Sequence, residues 1–321
     1  MTVTSAAPPV APGADATERK RFDAAVTKAR AGGRGVDGLL DTEQVAELVA
    51  RGFLRFDALV PAELNEIALG ELRGDERVAD RQIPAFHTGR YQAGLPLERC
   101  FDQSPGIGAI LRSPAVRGII TSLVGSDPFY DHHAVHVRKS GQPSQPLHGD
   151  AIIDARAAFD IQLMYYPEDV TARGGGTMLV PGSHLRQINE QDIARYQNLA
   201  GQVLLECPAG TVLALHHGLW HCGRRSHVEA TRYMFKLRLN PRVEQVRLWD
   251  TSDLDRPEVL ARVRETLSKP EPWYEGATAR LEQVQRAALF RRLSGDPSFQ
   301  VEYWLGRLEN QAHPRLRDLH P

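Results

Sequence analysis

Apolar residues first fall at helical spacing in DTEQVAELVARGF, where Val45, Leu48 and Val49 share one side, Asp41 or Thr42 serves as cap, and Gly52 ends the run. A short strand over 53–56 follows. A second helix is predicted over 61–72, with Leu64, Ile67, Ala68 and Leu72 on its apolar face and Pro61 near its first turn. Residues 74–99 are rich in charge, Gly and Pro and have little periodicity, which predicts a loop able to act as a lid. A third helix, over 114–124, carries Val116, Ile119, Ile120 and Leu123 and closes at Gly125.

Beyond Gly125 the period shortens to that of strands. β-type runs are predicted over 134–139, 159–166, 176–180, 202–206, 211–216 and 231–239, punctuated by Pro, Gly and Asn. Strands in this number without helical runs between them predict an antiparallel sandwich or barrel. After Pro241 helical spacing returns over 257–267 and 277–293, with a third segment at 298–308. Residues 1–17 carry almost no large apolar side chains and are expected to be a disordered tail. The expected class is mainly β with flanking helices.

Of 321 residues, 42% are hydrophobic and 25% charged, which is enough to bury a sizeable core. The net charge is -1 and both signs are interspersed, so nothing favours nucleic acid or a membrane surface, and a small molecule is the expected partner. Cys100, Cys207 and Cys222 are odd in number and widely spaced, which fits neither a disulfide framework nor a CxxC zinc site. With no basic-apolar leader and no apolar run of membrane length, the expected location is cytoplasmic.

The candidate chemistry starts at His148-Gly149-Asp150, which ends the Gly/Pro-rich loop SGQPSQPLHGD ahead of a strand. Extended backbone alternates its side chains, so His148 and Asp150 project from one face. Two imidazoles and a carboxylate on one side of a divalent iron leave the opposite positions open to small ligands and oxygen. His221, 73 positions later and just past TVLAL, offers the second imidazole. Spacing alone leaves His132, His133, His136, His216 and His217 in competition with it, and a His two residues before an Asp also serves simply to satisfy turn backbone. Arg232 shares its strand face with Lys236 and Arg238, a pattern equally suited to a solvated face. Gly174, Gly175 and Gly176 lack the Lys-Ser/Thr pair of a phosphate loop and predict a tight hairpin.

Taken in order, several segments resemble the phytanoyl-CoA dioxygenase family of iron(II) and 2-oxoglutarate dependent oxygenases. They are LVARGFLRF with the helix start at Pro61, SPAVRGIITSLVGSDPFY, HGD, GGGTMLVPGSHL, and AGTVLALHHGLWHCGRRSHVEATR, together spanning roughly 41–240. Arg232 stands eleven residues after His221, the spacing at which the family places its 2-oxoglutarate arginine. The chain departs from the family pattern at Gly149, often Gln, at Ser226, often Asn, and at Cys222, commonly Gly or Ser.

The resemblance implies a double-stranded β-helix, a jelly-roll or cupin-like core, over residues 18–240, with a helical extension over 241–321 packed on the same domain or at a subunit interface, as in a homodimer. It implies Fe(II) held by His148, Asp150 and His221, and 2-oxoglutarate and O2 as cosubstrates. Arg232 would take the far carboxylate of 2-oxoglutarate, because a planar guanidinium suits bidentate pairing better than an ammonium. Gln162 and Lys139 are further candidates to touch the cosubstrate, and Phe86, Arg99, Ile152 and Arg225 to touch the substrate. The retained Asp150 favours hydroxylation or related C–H oxidation of a metabolite, expected in bacterial secondary metabolism, over the halogenation of relatives that lack this carboxylate. Two alternatives are a non-oxidative cupin-like isomerase or hydrolase using zinc or manganese, and a metabolite-binding barrel without turnover.

Overall fold

The alternating residues beyond Gly125 do form strands, and all the strands pair antiparallel. The computed structural model describes residues 38–74, 91–102, 104–150, 158–186, 190–194, 198–273 and 276–304. The expected tail over 1–17, most of the expected lid, Phe86, Ile152 and the end of the third C-terminal segment lie outside the described residues.

In chain order the helices are α1 (Thr42–Arg51), α2 (Ala62–Gly74), α3 (Ile107–Arg112), α4 (Pro114–Val124), α5 (Glu190–Ile193), α6 (Pro257–Ser268) and α7 (Gly276–Ser294). The strands are β1 (Phe53–Phe56), β2 (Phe129–Arg138), β3 (Ile161–Tyr166), β4 (Thr177–Leu179), β5 (Val203–Leu204), β6 (Thr211–His216), β7 (His221–Gly223) and β8 (Arg232–Asn240). Five strands form one sheet in the order β1-β6-β3-β8-β2, and three form a second in the order β5-β4-β7. Three elements were not legible beforehand. They are α3 and α5, whose six and four residues are too few to show a period, and β7, three residues set between Trp220 and a polar loop.

Register explains the two-sided burial of the large sheet. Pairing of Val135 with Phe235 and of Leu163 with Leu237 puts these side chains on one face. That face shares a single apolar core with Val49 of α1, Leu64 of α2, Ile120 of α4, Val263 of α6 and Phe290 of α7. On the opposite face Met164, Leu213 and Met234 meet Leu179 of the small sheet in a second cluster, so the two sheets face one another.

The start of the fold is fixed locally. In α1 the Asp41 carboxylate accepts from the Gln44 amide at 2.8 Å while the Gln44 side-chain carbonyl accepts from the Asp41 amide at 3.0 Å, a reciprocal cap. Gly52 then turns the chain with φ 81°. A Cβ there would lie 2.4 Å from His184 Nδ1, so only glycine both adopts the left-handed turn and admits the Pro181–His184 turn against it.

The C-terminal helices pack on this same core. The segment between α6 and α7 also covers the outer side of the small sheet. Trp273 donates its indole N–H to the Pro181 carbonyl at 2.8 Å and lies 5.5 Å from Trp220, the neighbour of His221. Arg186 sits 4.4 Å over the Trp273 ring and pairs with Glu282 of α7. Among the described residues, no helix is long and apolar enough to cross a membrane.

Phe290 is fully buried against Trp249 and Phe299, so Phe290→Ala is expected to cost roughly 3–5 kcal/mol in urea unfolding. The loss should appear in one transition common to circular dichroism and tryptophan fluorescence, and two separate transitions would reject a shared core. Acid should also weaken the fold. Burial holds His184 well below the ordinary histidine pKa and lowers His216 to about 3. The native state therefore binds fewer protons than the unfolded chain below pH 6.5, and stability falls as the pH drops. Each such ring removes roughly 2 kcal/mol between pH 7 and pH 5. Urea midpoints that stay level over that interval would contradict neutral burial.

Candidate metal centre

His148 lies just outside the small sheet but joins it through one antiparallel bridge. Its amide donates to the His221 carbonyl at 3.0 Å, and the His221 amide donates to the His148 carbonyl at 2.8 Å. The bridge brings the ring centroids within 4.6 Å. His148 Nδ1 lies 2.8 Å from the Pro146 carbonyl and His221 Nδ1 lies 2.9 Å from the Leu219 carbonyl. A carbonyl can only accept, so each Nδ1 carries the proton and each Nε2 keeps its lone pair.

Those Nε2 atoms converge on Asp150. His148 Nε2 is 3.6 Å from Asp150 Oδ1, and His221 Nε2 is 3.4 Å from Oδ2. One ligand atom from each of His148, Asp150 and His221 lies within 4.8 Å of the others, a set able to hold one metal ion. Burial and the neighbouring His221 lower the His148 pKa, which favours the neutral imidazole that a metal requires. Burial alone would raise the Asp150 pKa, but His221 and Lys236 beside it hold the carboxyl well below its usual range.

Two side chains on the large sheet grip the carboxylate from behind. Lys236 Nζ donates to Asp150 Oδ2 at 2.6 Å, and Gln162 Nε2 donates to the same oxygen. Both come from the inner face, since Gln162 on β3 pairs with Arg238 of β8, two residues from Lys236. Arg232 begins β8 on that face and is 8% exposed. One guanidinium nitrogen donates to the Gly175 carbonyl at 2.8 Å, and its carbon lies 5.7 Å from the Tyr166 ring centre. Its Nε and Nη1 are buried without a hydrogen-bond partner. Buried donors of this kind call for an acceptor, and a carboxylate presents two oxygens in matching geometry. The residues present therefore fit both a divalent metal and a carboxylate-bearing cosubstrate. A cavity of about 40 Å³ between the sheets is lined by His136, Arg138, His148, His221, Arg232 and Lys236, among others.

The phytanoyl-CoA dioxygenase (PhyH) family model matches residues 30–234, a span that contains all three ligand candidates and Arg232. The chain belongs to the phytanoyl-CoA dioxygenase family. A search of curated proteins finds no match for this family member. Among solved structures it is similar to AviO1 from Streptomyces viridochromogenes Tue57, at 16% identity and TM-score 0.47, over 62% of this chain and 94% of that one. It is similar to EctD from S. alaskensis with 2-oxoglutarate and 5-hydroxyectoine, at 16% identity and TM-score 0.49, over 66% and 80% of the two chains. HygX from Streptomyces hygroscopicus with nickel and 2-oxoglutarate is similar at 16% identity and TM-score 0.48, over 69% and 94%.

Within this family member the structure brings together His148, Asp150, His221, Gln162 and Arg232. Gln162, a candidate to touch the cosubstrate, bonds the Asp150 carboxylate through Nε2, because its register on β3 sets it behind that residue. Lys139 does not line the cavity. It follows the last residue of β2, and alternation delivers Arg138 there in its place. Arg99 is exposed in a turn over Leu97–Arg99, and Arg225 is exposed in the loop after β7, so neither reaches the cavity.

The competing histidines separate clearly. His132 pairs with Asp131, His133 faces the helices with Phe101 and Phe235, and His216 stacks on Phe159. His136 lines the cavity, and His217 Nε2 stays 3.9 Å from Asp150 Oδ2. The face of β8 bearing Arg232, Lys236 and Arg238 is the inner wall, not a solvated surface. Arg238 is held there by Asp160 at 2.6 Å. Lys236 and Arg138 are the site residues that sequence reasoning missed. Counting in twos from Arg232 along β8, and from His136 along β2, would have indicated them.

In a 1:1 titration with Mn(II), Asp150→Asn should bind at least 100-fold more weakly than the wild type, with circular dichroism showing that the variant is folded, although losing the charge partner of Lys236 should lower its thermal midpoint. Gln162→Leu, which leaves all three ligands in place, should lose roughly 10-fold to 100-fold, as losing a partner that orients a ligand typically does. Unchanged affinity in Asp150→Asn would remove this carboxylate from the metal centre.

Proposed function

We propose that the protein is a non-haem iron(II) and 2-oxoglutarate dependent oxygenase that hydroxylates a C–H bond of a small metabolite. The proposed core is a double-stranded β-helix formed by the two facing sheets. The observation that carries this reading is the pair of unpartnered buried nitrogens on Arg232, set beside a His-Asp-His group on the wall of one cavity. A metal-dependent isomerase or hydrolase would need the three ligands but not this buried guanidinium.

His148, Asp150 and His221 would hold the iron, and Arg232 would hold the far carboxylate of 2-oxoglutarate. Bound together, iron(II) and 2-oxoglutarate supply the oxidising power for C–H cleavage from O2, with release of succinate and carbon dioxide. The chain's own contribution is position. The Pro146 and Leu219 carbonyls fix which nitrogen of each imidazole is free to bind metal. Lys236 and Gln162 fix the plane of the Asp150 carboxylate and balance its charge, so that no unpaired ion is buried. Met164 and Met234 line the wall beside these groups and limit water. The retained Asp150 supports hydroxylation over halogenation, and the expected setting remains a cytoplasmic enzyme acting on a small molecule.

Adding iron(II) and 2-oxoglutarate without oxygen should produce a weak visible absorption band. Arg232→Ala should raise the 2-oxoglutarate concentration at half-maximal band at least 100-fold while leaving Mn(II) affinity within about threefold. The absence of a band in folded, metal-loaded wild type would defeat the proposal.

A further inference from the structure

The inner wall carries a second guanidinium that the proposed chemistry does not use. Arg138 is the register partner of Arg232 across β2 and β8, so the two side chains leave neighbouring strands on the same face and line the same cavity. Like Arg232, Arg138 has no carboxylate partner among the described residues. Among the described residues its side chain makes one hydrogen bond, from Nη1 to the Pro143 carbonyl at 2.9 Å. Burial and the adjacent Arg232 both disfavour the Arg138 charge. Two like charges side by side in a shared cavity repel unless an anion lies between or beside them.

The surroundings of Arg138 are shaped to hold it in place. A Cβ on Gly223 would come within 2.5 Å of Arg138 Nη2 and 2.9 Å of Gln145 Oε1, so the bare glycine gives the guanidinium its room. Gln145 is pinned through Oε1, which accepts from the Gly223 amide at 2.9 Å, and through its own amide, which donates to the Gly223 carbonyl at 2.9 Å. Gly223 lies two residues from His221 on β7, so Arg138 stands beside the metal ligands, half-buried where Arg232 is deep.

Charge sets the class of ligand. The described residues lining the cavity include Arg138, Arg232 and Lys236 and no carboxylate, while the nearby Asp150 is already bonded to Lys236. Iron(II) and 2-oxoglutarate carry opposite double charges, so loading both leaves the excess of positive charge in place. We infer that Arg138, with Gln145 beside it, is a substrate-anchoring residue, and that the organic substrate carries a carboxylate or similar anionic group bound there. This rests on the oxygenase reading of the same site. The anchored anion would hold one end of the substrate at Arg138, with the body of the substrate outside the space of about 40 Å³ between the sheets and the C–H bond to be oxidised directed toward His148 and His221.

Benzoate and benzamide, nearly identical in shape and different in charge, are suitable probes. Each is titrated by calorimetry into oxygen-free protein holding iron(II) and saturating 2-oxoglutarate. Wild type should bind benzoate at least tenfold more tightly than benzamide. Arg138→Gln should abolish that preference and Arg138→Lys should keep part of it. In both variants the visible band should report unchanged 2-oxoglutarate affinity, and circular dichroism should show an unchanged fold. No preference in wild type, whether both probes bind or neither does, overturns the anchor. So does a loss of 2-oxoglutarate affinity in Arg138→Gln matching that of Arg232→Ala, which would place Arg138 on the cosubstrate. A missing band in wild type strikes the oxygenase reading instead, and the charge preference and its dependence on Arg138 are still read in the same titrations.

Discussion

Strand β8 is buried on both faces, and the rest of the structure is arranged around what its two faces need. Phe235, Leu237 and Leu239 enter the main core beneath the helices, while Arg232 and Lys236 on the alternate positions are each only 8% exposed. A sheet covered on both sides usually reads as a continuous apolar run. Here one side is cationic, and a buried cation is stable only with a partner. Lys236 finds Asp150. Arg232 finds one carbonyl and keeps two donors in reserve, and the apolar face anchors the strand firmly enough to hold them there.

The same constraint explains why the centre is built between two sheets. The small sheet supplies His221 and, through a single bridge, His148; the large sheet supplies the residues that grip Asp150. Neither sheet alone holds a complete site. The Met164, Leu179, Leu213 and Met234 cluster that joins them sets the spacing of the polar groups. Residues beyond the family match also contribute, since Trp273 presses on Trp220 one position before His221. The C-terminal extension thus braces β7, the strand of His221, from outside.

Much of this could be read from the residues. The helical spacing of Val45, Leu48 and Val49, the cap at Asp41 and the stop at Gly52 are local, and local chemistry is enough to define α1. Strands such as β3 and β6 were visible because their alternation extends over six residues. The ordered motifs from HGD to Arg232 led to the ligand candidates because a chain fixes the order in which such residues recur. Short elements escaped because three residues of β7 carry no measurable period.

What the order of residues could not decide was which side of each strand faces inward. Alternation states that Arg232, Lys236 and Arg238 share a face, and that His136 and Arg138 share another; it does not state whether water or a cavity lies before them. That depends on pairing between strands nearly a hundred residues apart, such as β2 with β8, and on which face the helices cover. For the same reason five histidines remained rivals of His221 until the fold placed His216 in the core and His133 among aromatic rings. Residue type and spacing selected the chemistry that was available, and tertiary pairing selected the atoms that meet, because convergence within 4.8 Å is a property of packed surfaces and not of sequence distance.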